Sequence, residues 1–259
     1  MLNVHSVVHN VVGLWQKYFA SRHGDALAQP TIQQTELFNN IQSSNLRIVV
    51  FSFSDLSIIH VNQGAADIFG TTSEEIKLRG ASFILSCFNK EQLQFANDTA
   101  IISAKQISKT LPEAILKSYS CYANWIVNSH TGQQHRVLFR IFPIQVNERG
   151  MPQIGMYLIY DLKPFLRGGV WWFRSFSGTD QYMHYQSDDK KLLHRDMLSE
   201  REKLILEKVA EGLSSKEIGD LLYISQHTVD NHRRKMLAKT GAVDTSALIY
   251  VAKLSGILQ

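Results

Sequence analysis

Between Gln226 and Met236 the chain reads Gln-His-Thr-Val-Asp-Asn-His-Arg-Arg-Lys-Met, and Lys239 follows one turn later. Arg233, Arg234, Lys235 and Lys239 cluster there with no acid among them. Val229 and Met236 are seven residues apart. In a helix they share a buried face, and Asn231, Arg234 and Lys235 turn away from it. An Asn amide can bond adenine and an Arg guanidinium can bond guanine, each bidentately, with about 1–3 kcal/mol of discrimination. Asn231 and Arg234 are therefore candidate base readers. Lys216 and Thr228 stand near the starts of expected helices, where side chains and backbone N–H groups suit phosphate. Arg233, Lys235 and Lys239 add charge that can neutralise phosphates. The chemistry on offer is binding of double-stranded DNA.

Other chemistry is poorly represented. Glu74 and Glu75 are paired carboxylates, but neighbours along a helix point apart. No acid–base dyad, nucleophile–base set, phosphate loop or metal cluster can be written from the sequence, so no enzyme, no catalytic residue and no metal ligand is expected. Cys87 and Cys121 form no CxxC pair and read as buried hydrophobes in a reducing compartment. His60, His130 and His135 are the candidate ligands for haem or flavin, but each stands alone, so no cofactor is expected. The net charge is +4, and residues 195–259 carry ten Lys/Arg against nine Asp/Glu. Bulk charge thus says little, and placement carries the argument. A hydrophobic content of 44% excludes a disordered chain. No run of 18 apolar residues exists, so the expectation is a cytoplasmic protein with no membrane partner.

Four helices must position the basic residues, and their caps are legible. Ser199 with Glu202, and Ser214 with Glu217, are two capping boxes. Ser225 can cap a third helix ending at Gly241, and Asp244 a fourth ending near Gly256. Only Tyr223, Ile224 and Ser225 separate the second helix from the third. That spacing predicts a helix-turn-helix, with the later helix free to enter a major groove. Residues 198–244 carry, in order, LSxRE, GxSxKEI, ISxxTVxxH and KxGAxD. The stretch resembles the LuxR/GerE-type helix-turn-helix family over about the last quarter of the chain. The resemblance implies DNA-binding transcriptional regulation, base contacts at Asp230, Asn231 and Arg234, and a fourth helix that often supports dimerisation. Gly219 stands where that family usually has Ala, Asp230 where a basic residue is frequent, and Thr240 where Leu is usual.

Upstream, residues 1–20 read as an amphipathic helix with Val4, Val7, Val11, Leu14 and Tyr18 along one seam. The seam predicts an oligomerisation helix (1–21); packing on its own domain is the alternative. Residues 21–35 read as a linker. Segments 46–54 and 57–61 predict a hairpin, helices run to about residue 105, and 119–129, 134–146 and 153–162 predict three strands. Ser73 precedes acids in a short helix, and Asn89 with Gln92 can cap a longer one. Arg136, Leu138 and Arg140 alternate with Val137, Phe139 and Ile141, which predicts a sheet with one solvated face. Residues 166–195 predict an aromatic hairpin and a charged connector, with Trp171 and Trp172 in packing. The run Val61–Gly70, with Asn62 and the Phe69-Gly70 pair before an acidic helix start, looks like a PAS domain over 36–165. That resemblance implies ligand sensing, dimerisation or both, with the ligand unknown. A phosphoacceptor receiver lacks its acidic pair, and an acyl-homoserine-lactone domain fits the strand order less well.

The expected fold class is α+β: a PAS-like antiparallel sheet with helices, then an all-α four-helix domain at 196–259. The expected function is a one-component transcription regulator acting as a homodimer on DNA, with RNA polymerase as a further partner. A protein-interaction adaptor with a degenerate helix-turn-helix is the alternative.

Overall fold

The computed structural model describes residues 3–19, 46–110, 112–147, 150–168, 171–177, 181–187 and 191–258. The linker expected at 21–35 lies outside them, as does the Tyr18 side chain. Among the described residues eight strands form one sheet in the spatial order β2-β1-β5-β4-β3-β6-β7-β8, every neighbouring pair antiparallel. They are β1 (Arg47–Ser52), β2 (Ile58–Val61), β3 (Ser120–Asn128), β4 (Gln134–Val146), β5 (Pro152–Asp161), β6 (Trp172–Ser177), β7 (Gln181–Gln186) and β8 (Leu192–Leu193). The class is α+β, as expected. The first five strands follow the order β2-β1-β5-β4-β3, with helices inserted between β2 and β3, which agrees with the PAS resemblance.

Those helices are α2 (Gln63–Phe69), α3 (Ser73–Arg79), α4 (Ala81–Ser86), α5 (Lys90–Lys109) and α6 (Pro112–Ser118). Asn62 caps α2 and also ties it to β1, accepting from Ile48 N (3.1 Å) and donating to Leu46 O (2.6 Å). The cap of α3 is Thr72, which accepts from Glu75 N; Ser73 is the first helical residue, and Glu74 and Glu75 lie in the first turn as expected. Asn89 and Gln92 make the expected capping box on α5. Helix extends past residue 105, to Lys109 and then through α6. The 166–195 segment does form a hairpin, β6–β7, but it continues the sheet rather than standing apart.

Helix α1 (Val4–Phe19) lays its apolar seam on its own domain. Val7 is 1% exposed and Trp15 5% exposed, inside the cluster that fills the sheet's inner face. Trp15 meets Phe53 edge-on with ring centres 4.7 Å apart. Of the seam expected to oligomerise, Val4, Val7 and Val11 are thus taken up within the chain. A period of 3.5 shows that a helix face is apolar; it does not say which surface covers it.

The expected solvated sheet face also needs correction. Leu138 is fully buried, and Arg136 is buried with its Nη1 donating to Gly168 O (2.9 Å). The covering element is the C-terminal domain, whose apolar residues share one cluster with Tyr122, Leu138, Leu162, Leu166 and Trp172. Strands β3 and β6 are therefore two-sided. Cys121, Ala123, Trp125 and Phe173 face the inner core, while Tyr122 and Trp172 face the C-terminal domain. Polar ties lock the contact. Trp172 Nε1 donates to Thr240 O (3.1 Å), Gln186 Nε2 to Lys239 O (3.1 Å), and Arg167 N to Gly241 O (2.8 Å). Arg174, 1% exposed, forks onto Asp196 at 2.5 and 2.9 Å and donates to Ser255 O at 2.7 Å.

Candidate nucleic-acid interface

Four helices make up the C-terminal domain: α7 (Glu200–Ala210), α8 (Ser215–Leu222), α9 (Gln226–Thr240) and α10 (Thr245–Leu254). All four caps are the expected residues. Ser199, Ser214, Ser225 and Asp244 each accept from the backbone N–H three residues on, and the first two close full capping boxes. These bonds satisfy orphan donors at each helix start, typically worth about 1 kcal/mol apiece. Ile205, Leu206, Ile218, Val229, Met236, Leu248 and Val251 form the core between them.

The turn between α8 and α9 is tight. Tyr223 takes the left-handed conformation (φ 55°) that reverses the chain, with its ring 95% exposed. Ile224 N then donates back to Gly219 O at 3.0 Å. A Cβ on Gly219 would lie 2.7 Å from Ile224 O and 3.3 Å from Gln226 N. Gly219 is thus the residue that lets the turn close on α8. Alanine there gains about 1 kcal/mol of helix propensity, but overpacking against backbone costs about 1–3 kcal/mol. Gly219→Ala is expected to lower stability in urea unfolding by about 1 kcal/mol. A stabilised variant would mean that the turn yields without cost.

Helix α9 buries Val229, Met236 and Thr240 and turns the opposite side outward. Arg234 and Lys235 are exposed there, with Asn231 half-buried beside them. Arg234 Nη2 donates to Asn231 Oδ1, so the two candidate base readers form one unit on adjacent turns. Asp230 is half-buried on the same helix. Lys216, in the first turn of α8, is exposed. Thr228 is half-buried, and its hydroxyl shares a 2.8 Å hydrogen bond with Ser225.

Two of the basic residues are engaged inside the domain. Arg233 Nη1 donates to Ser215 Oγ (3.0 Å) and Nη2 to Thr245 Oγ1 (2.9 Å), stapling the starts of α8 and α10 to α9. Lys239 Nζ sits 2.6 and 2.9 Å from the Glu202 carboxylate and fastens the end of α9 to α7. Burial pushes the Glu202 carboxyl up, but Lys239 and the Ser199 backbone N–H outweigh it and hold the carboxyl below its ordinary value. Both cations hold the shape of the helix-turn-helix. The outward charge at α8 and α9 comes from Lys216, Arg234 and Lys235.

Sequence reasoning missed Arg174 and Asp196, which carry the domain attachment. A lone Arg in a strand and a lone Asp before a helix give no local signal of pairing. Among the described residues no group of three His, Cys, Asp or Glu could hold a metal, and no helix is long and apolar enough to cross a membrane. His60, His130 and His135 do not converge. His130 stacks on Phe83 and its Nε2 lies 3.3 Å from Ser86 Oγ, and His135 Nδ1 is 3.4 Å from Asp161 Oδ2.

Residues 196–252 match the family model for bacterial regulatory proteins, luxR family. The transcriptional regulatory protein TdiR of Thauera aromatica is 45% identical over 65 residues, which is 24% of this chain and 29% of that protein. BvgA of Bordetella pertussis, a transcription regulator of virulence factors, is 34% identical over 61 residues, again 24% and 29% of the two. This chain thus spans about 29% of the length of these curated relatives. A solved structure of the Vibrio cholerae VqmA dimer in the absence of target DNA is 19% identical. It covers 88% of this chain and 89% of that one, with a TM-score of 0.33. The C-terminal domain is a LuxR-type helix-turn-helix.

Proposed function

We propose that this protein is a cytoplasmic, sequence-specific DNA-binding transcription regulator. Its LuxR-type domain reads a duplex, and its PAS-like N-terminal domain senses a ligand or mediates dimerisation. The observation that carries the reading is the outward face of α9. Asn231 and Arg234 stand linked and accessible there beside Lys235, on a helix whose other side is sealed by Val229 and Met236. Asn231 and Arg234 reach base edges in the major groove, with Asp230 beside them to accept from a cytosine amino group. Lys216, Thr228 and Lys235 contact phosphates. A homodimer sets two such helices about one DNA turn apart, roughly 34–36 Å, on a near-palindromic site. RNA polymerase is the partner through which bound protein alters transcription.

Selection of bound fragments from a random duplex library at two salt concentrations tests this reading. Enrichment of a paired half-site, weakened by salt, is the expected result. Failure by both the full chain and residues 196–259 would overturn it in favour of an adaptor. On the selected site, Arg234→Ala is expected to relax preference at one base pair by about 1–3 kcal/mol. Lys235→Ala should weaken all sequences alike and lower the salt slope by about 1. Equal effects of the two variants would remove the division between base reader and phosphate contact.

A further inference from the structure

The inner face of the sheet lines a partly open cavity of about 150 Å³. Its walls come from β1, β3, β4, β5 and β6, from α4 and α5, and from α1. Among the described residues no charged side chain lines it. Its titratable groups stay neutral, because burial raises Tyr119 and Tyr157 and pushes the Cys121 thiol up to about 12. The Cys121 thiol is already donating to Ile141 O, and the Thr99 hydroxyl to Ala96 O. Trp125 differs. Its ring is fixed between Phe88, stacked at 4.8 Å, and Phe95, edge-on at 4.9 Å. Its Nε1–H is buried and has no acceptor among the described residues. A buried indole N–H ordinarily has a partner. A cavity of this volume with apolar walls suits one benzene-sized molecule.

The walls differ in how they are held. The strands are locked by their ladders. Helix α5 is bonded to them through Gln92 Nε2 to Ile126 O (2.7 Å) and Ser175 Oγ to Gln106 Oε1 (2.5 Å). Helix α1 covers one side of the cavity with Val7, Val11 and Trp15, and its Asn10 reaches Asn97 on α5 at a long 3.3 Å. Among the described residues it joins no ladder and packs on the core through apolar side chains, so it opens at less cost than the strands.

We propose that this cavity binds a small, uncharged ring compound carrying a hydrogen-bond acceptor for Trp125, and that α1 is the lid that admits and retains it. The inference rests on reading the N-terminal domain as a ligand sensor. It deepens that reading by stating the ligand's chemistry and its route of entry. A carboxylate or ammonium group is excluded because nothing in the walls would compensate a buried charge.

The probes are para-fluoroacetophenone, para-fluoroethylbenzene and para-fluorobenzoate, similar in shape and followed by fluorine NMR on the full chain. The ketone is expected to bind about threefold to tenfold more tightly than the hydrocarbon, and the carboxylate not at all. Trp125→Phe should erase the preference for the ketone while keeping hydrocarbon binding; a preserved preference would overturn the role of the indole. Trp15→Ala, with the milder Val11→Ala as a check against misfolding, should release bound ketone about tenfold faster. Unchanged release in both would overturn the lid and leave the ligand assignment standing. Preferential binding of the carboxylate would overturn the ligand class. No binding by any probe would overturn the sensor reading itself, while the DNA selection stands or falls separately.

Discussion

Asp196→Ala is expected to remove about 3–5 kcal/mol of stability, the cost of leaving a buried charge without its partner. The carboxylate accepts a bidentate fork from Arg174 and a third bond from Lys203 Nζ at 2.9 Å, and its Oδ1 also accepts Met197 N at 2.7 Å. Burial pushes this carboxyl up, but Arg174 and then Lys203 overcome it and hold it below its ordinary value. The group is therefore ionised in the fold at neutral pH, and the guanidinium opposite has nowhere to go. Arg174 leans over the rings of Phe176 and Tyr182 and is sealed by the end of the C-terminal domain. Denaturant unfolding of the full chain checks the figure. The double variant Asp196→Leu with Arg174→Met removes both charges together and should recover about half of the loss or more. A single variant that costs under about 1 kcal/mol would mean that water reaches the guanidinium.

The same residues bear on function because they attach the DNA-binding domain to the sheet. Arg174 on β6 bonds to both ends of that domain, Asp196 at its start and Ser255 near its finish. Phe173, the preceding residue, lines the inner cavity, and Tyr122 on β3 meets the C-terminal cluster between Cys121 and Ala123 of the cavity wall. The cavity and the DNA-binding domain thus contact opposite faces of the same two strands. The outward face of α9 lies away from this junction, so the docked state leaves the proposed base readers accessible.

Much of the C-terminal domain is legible in the sequence because capping is local chemistry. A Ser with a Glu three residues on satisfies its own backbone, and the result does not depend on the rest of the chain. The β6–β7 hairpin and β3–β5 are legible for a similar reason, since turn residues and β-branched runs act over short range. Coverage is not local. The alternation of Arg136, Leu138 and Arg140 is real, yet Leu138 is buried because another domain lands on it. Arg233 and Lys239 carry the charge that phosphate binding needs, but Ser215, Thr245 and Glu202, remote in sequence, claim them first. Gly219 reads as a cost to its helix until the turn carbonyl 2.7 Å from its missing Cβ is known.

The second large effect is loss of stability in mild acid, carried by His184. This residue lies on β7, paired across the sheet with Arg174 and on its other side with Leu193. It is 4% exposed, and its Nε2 has no partner among the described residues. Burial lowers its pKa, Asp196 opposes that, and Lys239, Arg174 and Arg195 lower it further, to about 4. The unfolded chain takes up the proton near the ordinary value of 6.5, well before the folded chain does. Stability is therefore complete above pH 6.5 and falls as the pH drops toward 4, by about 3 kcal/mol over that window. His60, lowered by burial and then by Lys77, adds a loss of the same sign. Asp196 contributes only at still lower pH, where its own carboxylate begins to protonate. Urea unfolding at neutral pH and again near the lower end of the window measures the loss. His184→Phe should remove most of it and leave the part due to His60. A variant that destabilises in acid as steeply as the natural chain would show that His184 is already protonated in the fold. The imidazolium would then have to be held by Asp196, against the three cations around it.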